Sequence, residues 1–399
     1  MRQRVRAALE GDNVMVIAQT SSRAATTRRG VVALLVAGVV WPQASAQNEI
    51  VVAQVGPFSG PLAVNGIANF VGAQAYFQAV NARGGIGGRM IRFVKEDDAY
   101  KPEETVRLLK LVAERDKPVA FVNLLGSANA SAMLNGKVLD QLGIPVVGLT
   151  PGSEALRKPG SPHLFHLQAG DAAQLGAIAR HLGTIGLARA AVVYQDNPFG
   201  KTGLASIEAF AAETGLKIVA KASMAIGSED AKAAAAAVRA STAQACVMIL
   251  APNSGAAFVR DLRDQGAALP IYGLSYVTAD LLVQKAGAEK AAGVALAQVT
   301  PNPTSATSGL TREFHGVMQQ FAPKDTQYSS MNLLGYLAAR VTVEAIRRAG
   351  SSNPAAVEKA LRELKLDLGG YAIDFTDGSQ VGSRKVDIGV IDRGGNLRY

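Results

Sequence analysis

Two short apolar runs, each ending in a turn of small polar residues, constrain the fold of this chain more than any other feature. Residues 121–125 are followed by the turn 126–131, and residues 144–149 are followed by the turn 150–154. Apolar runs of this length, buried on both faces, are typical of parallel strands connected by helices. Met and Leu return at helical spacing over 133–142, so the pattern predicts strand, turn and helix twice in succession.

The two turns also form a candidate binding site for a small anion. In open parallel sheets, ligands bind beyond the carboxyl ends of the strands, where free backbone N–H groups at helix N-termini attract negative charge. Adjacent turns of Gly, Ser, Thr and Asn would surround one carboxylate with N–H and hydroxyl donors. The alternative is that Ser127 and Ser153 only cap the helices that follow them. Either turn alone leaves both interpretations open.

Composition favours a two-lobed globular protein whose partner is not a nucleic acid. The chain has 399 residues, more than one hydrophobic core usually serves, and a formal net charge of +9. Six of its arginines lie in residues 1–46, so the rest is only mildly basic. Its basic residues form no stripe with interleaved aromatic residues, which argues against nucleic-acid binding. The single cysteine, Cys246, lies in an apolar run and is expected to be a buried, inert thiol.

Residues 1–46 have the layout of a secretory signal peptide. Arg28 and Arg29 precede the apolar segment 31–40, and residues 44–46 offer a small-residue cleavage site. The apolar segment is too short to span a bilayer. We therefore expect export to the periplasm by the Sec route or, given the paired arginines, the twin-arginine route. The mature chain is expected not to insert into the membrane, and the length of the leader leaves a later start codon open.

From Glu49 onwards, predicted strands and helices alternate with few interruptions. Residues 300–305, Thr-Pro-Asn-Pro-Thr-Ser, are the clearest linker by composition. Beyond it the sequence predicts three helices, at 310–320, 331–349 and 354–364. After these helices the helical pattern ends. Residues 369–375 and 386–391 are predicted to form two strands joined through Asp-Gly turn chemistry.

Motifs for catalysis, metal binding and cofactor binding give little support to an enzyme. The glycine-dense loop 84–88 follows a helix and precedes a strand, which is the reverse of the order in a phosphate-binding fingerprint. His163 and His166 lack a nearby third metal ligand. Asp97 and Asp98 precede a helix start, where hydrogen bonding within the loop is favoured over acid–base work. We therefore predict no catalytic residue, no metal site and no cofactor.

The order of several short motifs along the chain is informative. They lie at 56–61, 81–88, 97–98, 194–200 and 375–378. Together they resemble the type I periplasmic solute-binding proteins of ABC importers, most closely the leucine/isoleucine/valine-binding branch. The resemblance implies two Rossmann-like lobes joined by three crossovers, with a ligand cleft between them. It also implies the bounds of the lobes, with lobe 1 at 47–168 and 301–370 and lobe 2 at 169–300 and 371–399.

The resemblance further implies which residues bind the ligand. In the family, two successive turns hold the ligand carboxylate, and aromatic residues contact the rest of the ligand. Asn65 stands in the first loop, where the amino-acid binders have an aromatic residue. The corresponding positions in this chain are Asn65, Ser127, Ala128, Asn129, Thr150, Gly152, Ser153, Phe199, Asn253 and Tyr276.

The acid that pairs with a ligand ammonium group in the family should lie near Ser275 or Tyr276, and neither residue is acidic. A buried ammonium group without a partner is costly. A plain α-amino acid is therefore disfavoured unless Glu154, Asp196 or Asp280 takes that role. The expected ligand is a small carboxylate, either like a branched-chain amino acid or an aromatic, keto or hydroxy acid.

The function that the resemblance implies is solute capture without catalysis. The mature chain would act as a monomer, close its lobes on a small anionic ligand and dock on the membrane permease of an ABC importer. A ligand-sensing domain of the same fold, acting in a signalling or regulatory system, is the alternative. An enzyme is the third interpretation, and no nucleophile, metal set or cofactor fingerprint supports it.

Overall fold

The computed structural model of the chain describes residues 49–150, 152–158 and 160–399. The predicted signal peptide at 1–46 lies outside these residues. The described strands form a five-stranded sheet, a seven-stranded sheet and a small two-stranded one, with helices packed on the large sheets. The predicted α/β fold with two lobes is confirmed. We call the part around the five-stranded sheet the first lobe and the part around the seven-stranded sheet the second lobe.

The first lobe is built on a parallel sheet from the N-terminal part of the described chain. Its strands are β1 (Glu49–Gly56), β2 (Met90–Asp97), β3 (Ala120–Leu125), β4 (Val146–Thr150) and β5 (Leu164–Phe165). The helices between them are α1 (Ala63–Asn81), α2 (Pro102–Asp116), α3 (Ser127–Asn135) and α4 (Val138–Leu142). The strand order is β2-β1-β3-β4-β5. Every residue of β3 and β4 is buried, which explains why both strands are nearly unbroken apolar runs in the sequence, with Asn123 as the polar exception inside β3 and Thr150 at the end of β4.

The second lobe begins with a helix and continues the same alternation. Its helices are α5 (Asp171–Thr184), α6 (Pro198–Thr214), α7 (Lys232–Arg239), α8 (Pro252–Asp264), α9 (Ala279–Ala286) and α10 (Ala288–Ala291). Its first strands are β6 (Arg189–Gln195), β7 (Lys217–Met224), β8 (Ala245–Ile249), β9 (Ile271–Gly273) and β10 (Val294–Gln298). Cys246 lies buried in β8, and burial raises the pKa of its thiol. The thiol is therefore protonated and unreactive at neutral pH.

The last part of the chain returns to the first lobe and then completes the second. It contains α11 (Gly309–Phe321), α12 (Ser330–Ala349), α13 (Pro354–Arg362), β11 (Lys365–Asp367), β12 (Ala372–Asp374), β13 (Asp387–Ile391) and β14 (Leu397–Arg398). Helix α12 packs on α1, β3 and β4 of the first lobe, whereas β13 pairs antiparallel with β10. The second sheet therefore has the order β14-β13-β10-β9-β8-β6-β7. The chain passes between the lobes three times.

The three crossovers meet at the hydroxyl of Tyr371. This hydroxyl lies 2.8 Å from the carbonyl oxygen of Leu167 in the first crossover and 2.9 Å from that of Val299 in the second. Tyr371 itself lies in the third crossover and is buried. Because a phenol has one proton, it donates to one carbonyl at a time. The contact nevertheless ties all three segments together at the junction of the lobes.

The helices around the two turns differ from the predicted ones. Instead of one helix over 133–142, α3 begins at Ser127, and α4 follows a break at Lys137, whose φ of 47° is left-handed. After the second turn, the predicted helix is reduced to a single 3₁₀ turn, Glu154–Leu156. Gly160, at φ 65°, and the prolines around it in the sequence prevent a longer helix.

The two strands predicted near the C-terminus form, but they do not pair with each other. Strand β12 pairs antiparallel with β11, a strand of three residues that the sequence pattern does not reveal. The Asp-Gly turn is present, with the Gly378 N–H donating to the Phe375 carbonyl. The chain then runs back along the first crossover, where the Gly382 N–H donates to the His166 carbonyl. Only after this detour does β13 join the second sheet.

Candidate functional site

The first turn begins with a glycine that its surroundings require. Gly126 follows β3 at φ 106°, and a Cβ built there would lie 2.3 Å from the Tyr100 ring. Its N–H donates to the Thr150 carbonyl at 2.6 Å, which ties the first turn to the end of β4. Helix α3 starts at the next residue, Ser127. A helix N-terminus therefore lies beside the end of the neighbouring strand, as an anion site requires.

The Ser127 hydroxyl is buried without a partner. Ser127 is 2% exposed, and its Oγ makes no hydrogen bond to any of the described residues. It does not cap α3, whose N-cap position is Gly126, and Ser153 makes no capping hydrogen bond either. A buried hydroxyl left unpaired costs roughly 1–3 kcal/mol. It is therefore the kind of group that a bound ligand satisfies.

Ser127 lines a cavity between the two lobes. The cavity volume is about 30 Å³, so the closed arrangement of the lobes leaves room for little more than water. The first lobe contributes Leu62, Asn65, Tyr100, Leu125, Gly126, Ser127 and Thr150. The second lobe contributes Asn197, Phe199, Ile226, Leu250, Ala251, Pro252 and Tyr276. Both lobes therefore contribute to the wall of the cavity.

The wall of this cavity carries no formal charge. Within the described part of the chain, none of its lining residues is Asp, Glu, Lys or Arg. Its polar groups are neutral hydroxyls and amides, such as those of Ser127, Thr150, Asn65 and Asn197. In a dry site, neutral donors of this kind interact strongly with an anion. The same wall offers no acid to balance a cation.

Two aromatic side chains of the second lobe form one end of the cavity. Phe199 lies in the first turn of α6, which Asn197 caps by accepting a hydrogen bond from the Gly200 N–H at 3.1 Å. Tyr276 follows β9, and its ring meets the Phe199 ring edge to face, with a centroid distance of 5.7 Å. Both residues are buried. The pair therefore presents apolar ring surface to whatever occupies the cavity.

Tyr276 also connects the two lobes. Its backbone carbonyl accepts a hydrogen bond from Asn65 Nδ2 at 3.2 Å. Its hydroxyl accepts from the Gly152 N–H at 3.0 Å and from Gln174 Nε2 at 3.3 Å, and it donates to Asp171 Oδ1. These bonds use the one proton and both lone pairs of the phenol oxygen. The hydroxyl has no hydrogen-bonding capacity left, so the ring is what Tyr276 offers to a ligand.

Asp171 is a buried carboxylate directly behind the Tyr276 hydroxyl. It is 2% exposed, and its Oδ1 also accepts from the Gly152 N–H at 3.0 Å. Burial raises the pKa of Asp171 to about 6, although the Tyr276 hydroxyl and the Arg157 guanidinium favour the charged form. Arg157 is held by the carbonyls of Gly152 at 3.2 Å and Gln168 at 3.1 Å. Charged groups thus lie close to the cavity without forming part of its wall.

The structure brings some of the predicted site residues together and separates others from them. Those that line the cavity are Asn65, Ser127, Thr150, Phe199 and Tyr276. Those that do not are Ala128, Asn129, Gly152, Ser153 and Asn253. Asn129 Nδ2 donates instead to Asp98 Oδ2 at 3.1 Å and to Thr105 Oγ1 at 2.6 Å. The Gly152 N–H is shared by Tyr276 and Asp171, so neither predicted donor is available to a ligand in this conformation.

The three acids considered as ammonium partners do not line the cavity. Asp196 pairs with Lys201 at 2.8 Å, and Glu154 and Asp280 are absent from the described wall. Asp171, which the sequence patterns did not single out, touches a wall residue but is covered by it. In the sequence it resembles any acid at the start of a helix, so only its burial in the structure distinguishes it.

Tyr100 is the most informative wall residue that the sequence did not predict. It has a positive φ of 63°, and its backbone N–H donates to Asp98 Oδ1 at 2.9 Å. Burial raises the pKa of the Tyr100 phenol to about 12, and the Ala128 N–H faces its oxygen. The Ala128 backbone N–H therefore faces the Tyr100 phenol oxygen as well as the first turn. The Asp97-Asp98 pair, which binds the backbone of this loop, is the sequence feature from which a role for Tyr100 in the cavity wall could have been predicted.

A family model matches nearly all of the described chain. The model for the periplasmic binding proteins matches residues 49–396. This chain belongs to the periplasmic binding protein family. The members of this family are extracytoplasmic solute-binding proteins rather than enzymes. The two-lobed α/β fold is therefore the architecture of that family.

Relatives of this periplasmic binding protein cover almost its whole length. An amino acid binding protein of Pseudomonas aeruginosa is 26% identical over 370 residues, which cover 92% of this chain and 94% of that protein. Leu/Ile/Val-binding protein homolog 7 of Brucella melitensis is 25% identical over 375 residues, covering 88% and 90%. The crystal structure of a substrate-binding periplasmic protein from Ralstonia solanacearum has 34% identity and a TM-score of 0.84, covering 88% of this chain and 99% of that one.

The described residues of this family member lack two features. None of their helices is both long enough and apolar enough to cross a membrane. In the same residues, no group of three or more His, Cys, Asp or Glu side chains is placed to hold a metal ion.

Proposed function

We propose that this periplasmic binding protein is the substrate-binding component of an ABC importer and captures a small carboxylate that lacks an ammonium group. The observation that carries the proposal is the neutral cavity between the lobes. Its described wall contains the unpaired Ser127 hydroxyl and no charged side chain. Relatives named as amino acid and Leu/Ile/Val-binding proteins support a carboxylate-bearing solute of similar size.

The carboxylate end of the ligand would lie between the two turns of the first lobe. Ser127 and Thr150 both line the cavity there, and the N-terminus of α3 adds the positive end of a helix dipole. Hydrogen bonds to a carboxylate are shorter and stronger than those between neutral groups. Exclusion of water by the closed lobes strengthens them further.

The rest of the ligand would contact apolar surface. The Phe199 and Tyr276 rings, with Leu62, Ile226 and Leu250, provide that surface. An aromatic or branched aliphatic body suits it. An ammonium group would lose its water without meeting a carboxylate, which is costly. The wall therefore favours simple, keto or hydroxy carboxylic acids over the corresponding amino acids.

Closure of the lobes would connect binding to transport. Ser127 and Thr150 belong to the first lobe, whereas Phe199 and Tyr276 belong to the second. A ligand that contacts both pairs stabilises the closed form relative to the open one. A membrane permease that recognises the closed form would then receive loaded protein in preference to empty protein.

A thermal-shift screen with pairs of ligands that differ only in the amine tests this proposal. Leucine with 4-methylpentanoate forms one pair, and phenylalanine with 3-phenylpropanoate forms another. A ligand at about a hundred times its Kd adds roughly 2.7 kcal/mol to the free energy of unfolding, which raises the melting temperature measurably. We expect stabilisation by the amine-free member of a pair. Stabilisation by the amino acids alone would refute the proposal.

Two serine variants test whether the carboxylate lies at the first turn. Ser127→Ala is expected to raise the Kd of the bound acid about ten- to a hundredfold, the usual effect of losing a hydrogen bond to a charged group. Ser254→Ala is the matched control, because Ser254 Oγ is also buried without a partner among the described residues but does not line the cavity. The control should leave the Kd unchanged. Equal effects of the two substitutions would mean that Ser127 does not contact the ligand.

A further inference from the structure

We propose that Tyr276 determines the ligand class by separating the cavity from Asp171, an inference that rests on the proposed function. The Tyr276 side chain forms part of the cavity wall. Its hydroxyl, at the far end of the ring, donates to Asp171 Oδ1. Tyr276 therefore stands between the cavity and a carboxylate that could otherwise bind an ammonium group.

Asp171 has the chemistry that an ammonium group requires but no access to the cavity. Its Oδ1 accepts from Tyr276 and from the Gly152 N–H, whereas its Oδ2 has no hydrogen-bond partner among the described residues. Arg157 is near enough to lower the pKa of Asp171, yet it donates to the carbonyls of Gly152 and Gln168 rather than to this carboxylate. One oxygen of Asp171 thus remains for a new cationic partner.

Tyr276 cannot replace that carboxylate as a partner for an amine. All three hydrogen-bonding positions of its hydroxyl are used within the protein. An ammonium group beside Tyr276 would therefore meet only its aromatic ring, which attracts a cation more weakly than a carboxylate does. Tyr276 thus excludes amines in two ways. Its ring covers Asp171, and its hydroxyl has no free lone pair with which to accept a hydrogen bond from an ammonium group.

The position of Tyr276 is fixed at both ends of the residue. Asn65 Nδ2 donates to its backbone carbonyl at 3.2 Å, and the Gly152 N–H and Gln174 Nε2 hold its hydroxyl at 3.0 and 3.3 Å. Gln174 is itself held by the Ser275 N–H, which donates to its Oε1 at 3.0 Å. A side chain bound in this way does not swing aside to admit an amine. The separation of Asp171 from the cavity is therefore a permanent feature of the closed form.

The test compares the Kd of leucine with that of 4-methylpentanoate by titration calorimetry at about pH 8. Asp171, with a pKa of about 6, is ionised at this pH. Tyr276→Ala should shift the ratio of the two constants towards leucine by about ten- to a hundredfold, because the ammonium group gains a charged hydrogen-bond partner. In the double variant Y276A/D171N, the ratio should return to that of the wild type. The double variant keeps the enlarged cavity and removes only the charge.

Tyr276→Phe separates the ring from the hydroxyl. Since the ring covers Asp171, this variant should keep the wild-type ratio even where both ligands bind more weakly. A ratio shifted as far as in Y276A would overturn the inference. Thermal melting verifies the folding of each variant, and Tyr276→Val, which keeps a buried apolar side chain, takes the place of Y276A if that variant does not fold.

The outcomes distinguish this inference from the proposed function. If the wild type prefers 4-methylpentanoate and the small variant at Tyr276 keeps the same ratio, only the role of Tyr276 is refuted. If the double variant retains the shift, the partner of the amine is not Asp171, and the inference fails in the same way. If the wild type itself prefers leucine, or binds no member of the leucine and phenylalanine pairs, both the inference and the proposed function fail.

Discussion

Asp171 should make the ligand-free protein less stable as the pH rises from about 4 to about 6. Burial raises the pKa of its carboxyl from the ordinary 3.8 to about 6. Below this range the group is protonated in both the folded and the unfolded chain, and above it the group is ionised in both. Within the range the folded chain binds more protons, so its free energy of unfolding falls as the pH increases. Above about pH 6 the full cost of the buried charge is present.

The size of this effect follows from the shift in pKa. A difference of roughly 2 pKa units, at about 1.4 kcal/mol each, corresponds to a loss of roughly 3 kcal/mol across the range. The Tyr276 hydroxyl, the Arg157 guanidinium and the Gly152 N–H already reduce the loss. Asp171→Asn keeps an oxygen that accepts from Tyr276 and Gly152 but cannot ionise. The variant should therefore lack this part of the pH dependence.

Urea unfolding of the wild type and D171N across this range measures the effect. The free energy of unfolding of the wild type minus that of D171N should fall by roughly 3 kcal/mol between about pH 4 and about pH 8. Asp261→Asn is a control of opposite sign. Burial acts to raise the pKa of Asp261, but hydrogen bonds from Arg260 and the Ala231 N–H outweigh it and lower that pKa, so there the wild type gains stability relative to its variant as the pH rises. A wild-type minus D171N difference that does not change with pH would refute the reasoning.

Three further predictions concern the hinge, the first turn and the cavity. Tyr371→Phe removes the hydroxyl shared by the three crossovers and should lower the free energy of unfolding by roughly 1–2 kcal/mol in urea; an unchanged value would mean that the crossovers do not depend on it. Gly126→Ala places a Cβ 2.3 Å from the Tyr100 ring, so the melting temperature and ligand stabilisation should both fall, and wild-type melting would contradict this. Phe199→Ala should raise the Kd about tenfold or more in calorimetry, whereas Phe210→Ala on the same helix, outside the cavity wall, should not; equal effects would argue against contact with the ligand.

The position of the candidate site could be predicted because strand ends in a parallel sheet converge. Ser127 lies just after β3, and Thr150 is the last residue of the neighbouring strand β4; the buried apolar runs of both strands are visible in the sequence. Those two residues line the cavity as the local pattern suggested. Asn65, Phe199 and Tyr276 were named through the resemblance to the solute-binding proteins, and they also line the cavity. Their contact with a ligand remains a prediction.

The sequence could not show which polar groups form hydrogen bonds with one another. The Gly152 N–H had the pattern of a free donor, but it is bound by Tyr276, which lies 124 residues further along the chain. Asn129 is likewise bound by Asp98 rather than left for a ligand. Strand β11 escaped notice because a run of three residues has no measurable periodicity. These incorrect or missing predictions have one cause. Hydrogen bonds and strand pairing between distant segments do not affect the local sequence pattern.

Tyr276 combines three tasks, and this limits how the ligand class of such a site can change. Its ring forms part of the cavity wall, its carbonyl and hydroxyl bind Asn65 and Gly152 of the first lobe, and its hydroxyl stabilises the Asp171 carboxylate. Removing the ring to uncover Asp171 also removes an inter-lobe hydrogen bond and leaves the carboxylate short of a donor. Removing Asp171 at the same time takes the buried charge away, so the two changes should be non-additive in stability. A shift of this site towards amines therefore requires a new acceptor for the Gly152 N–H and a new donor to Asp171, as well as the loss of the ring.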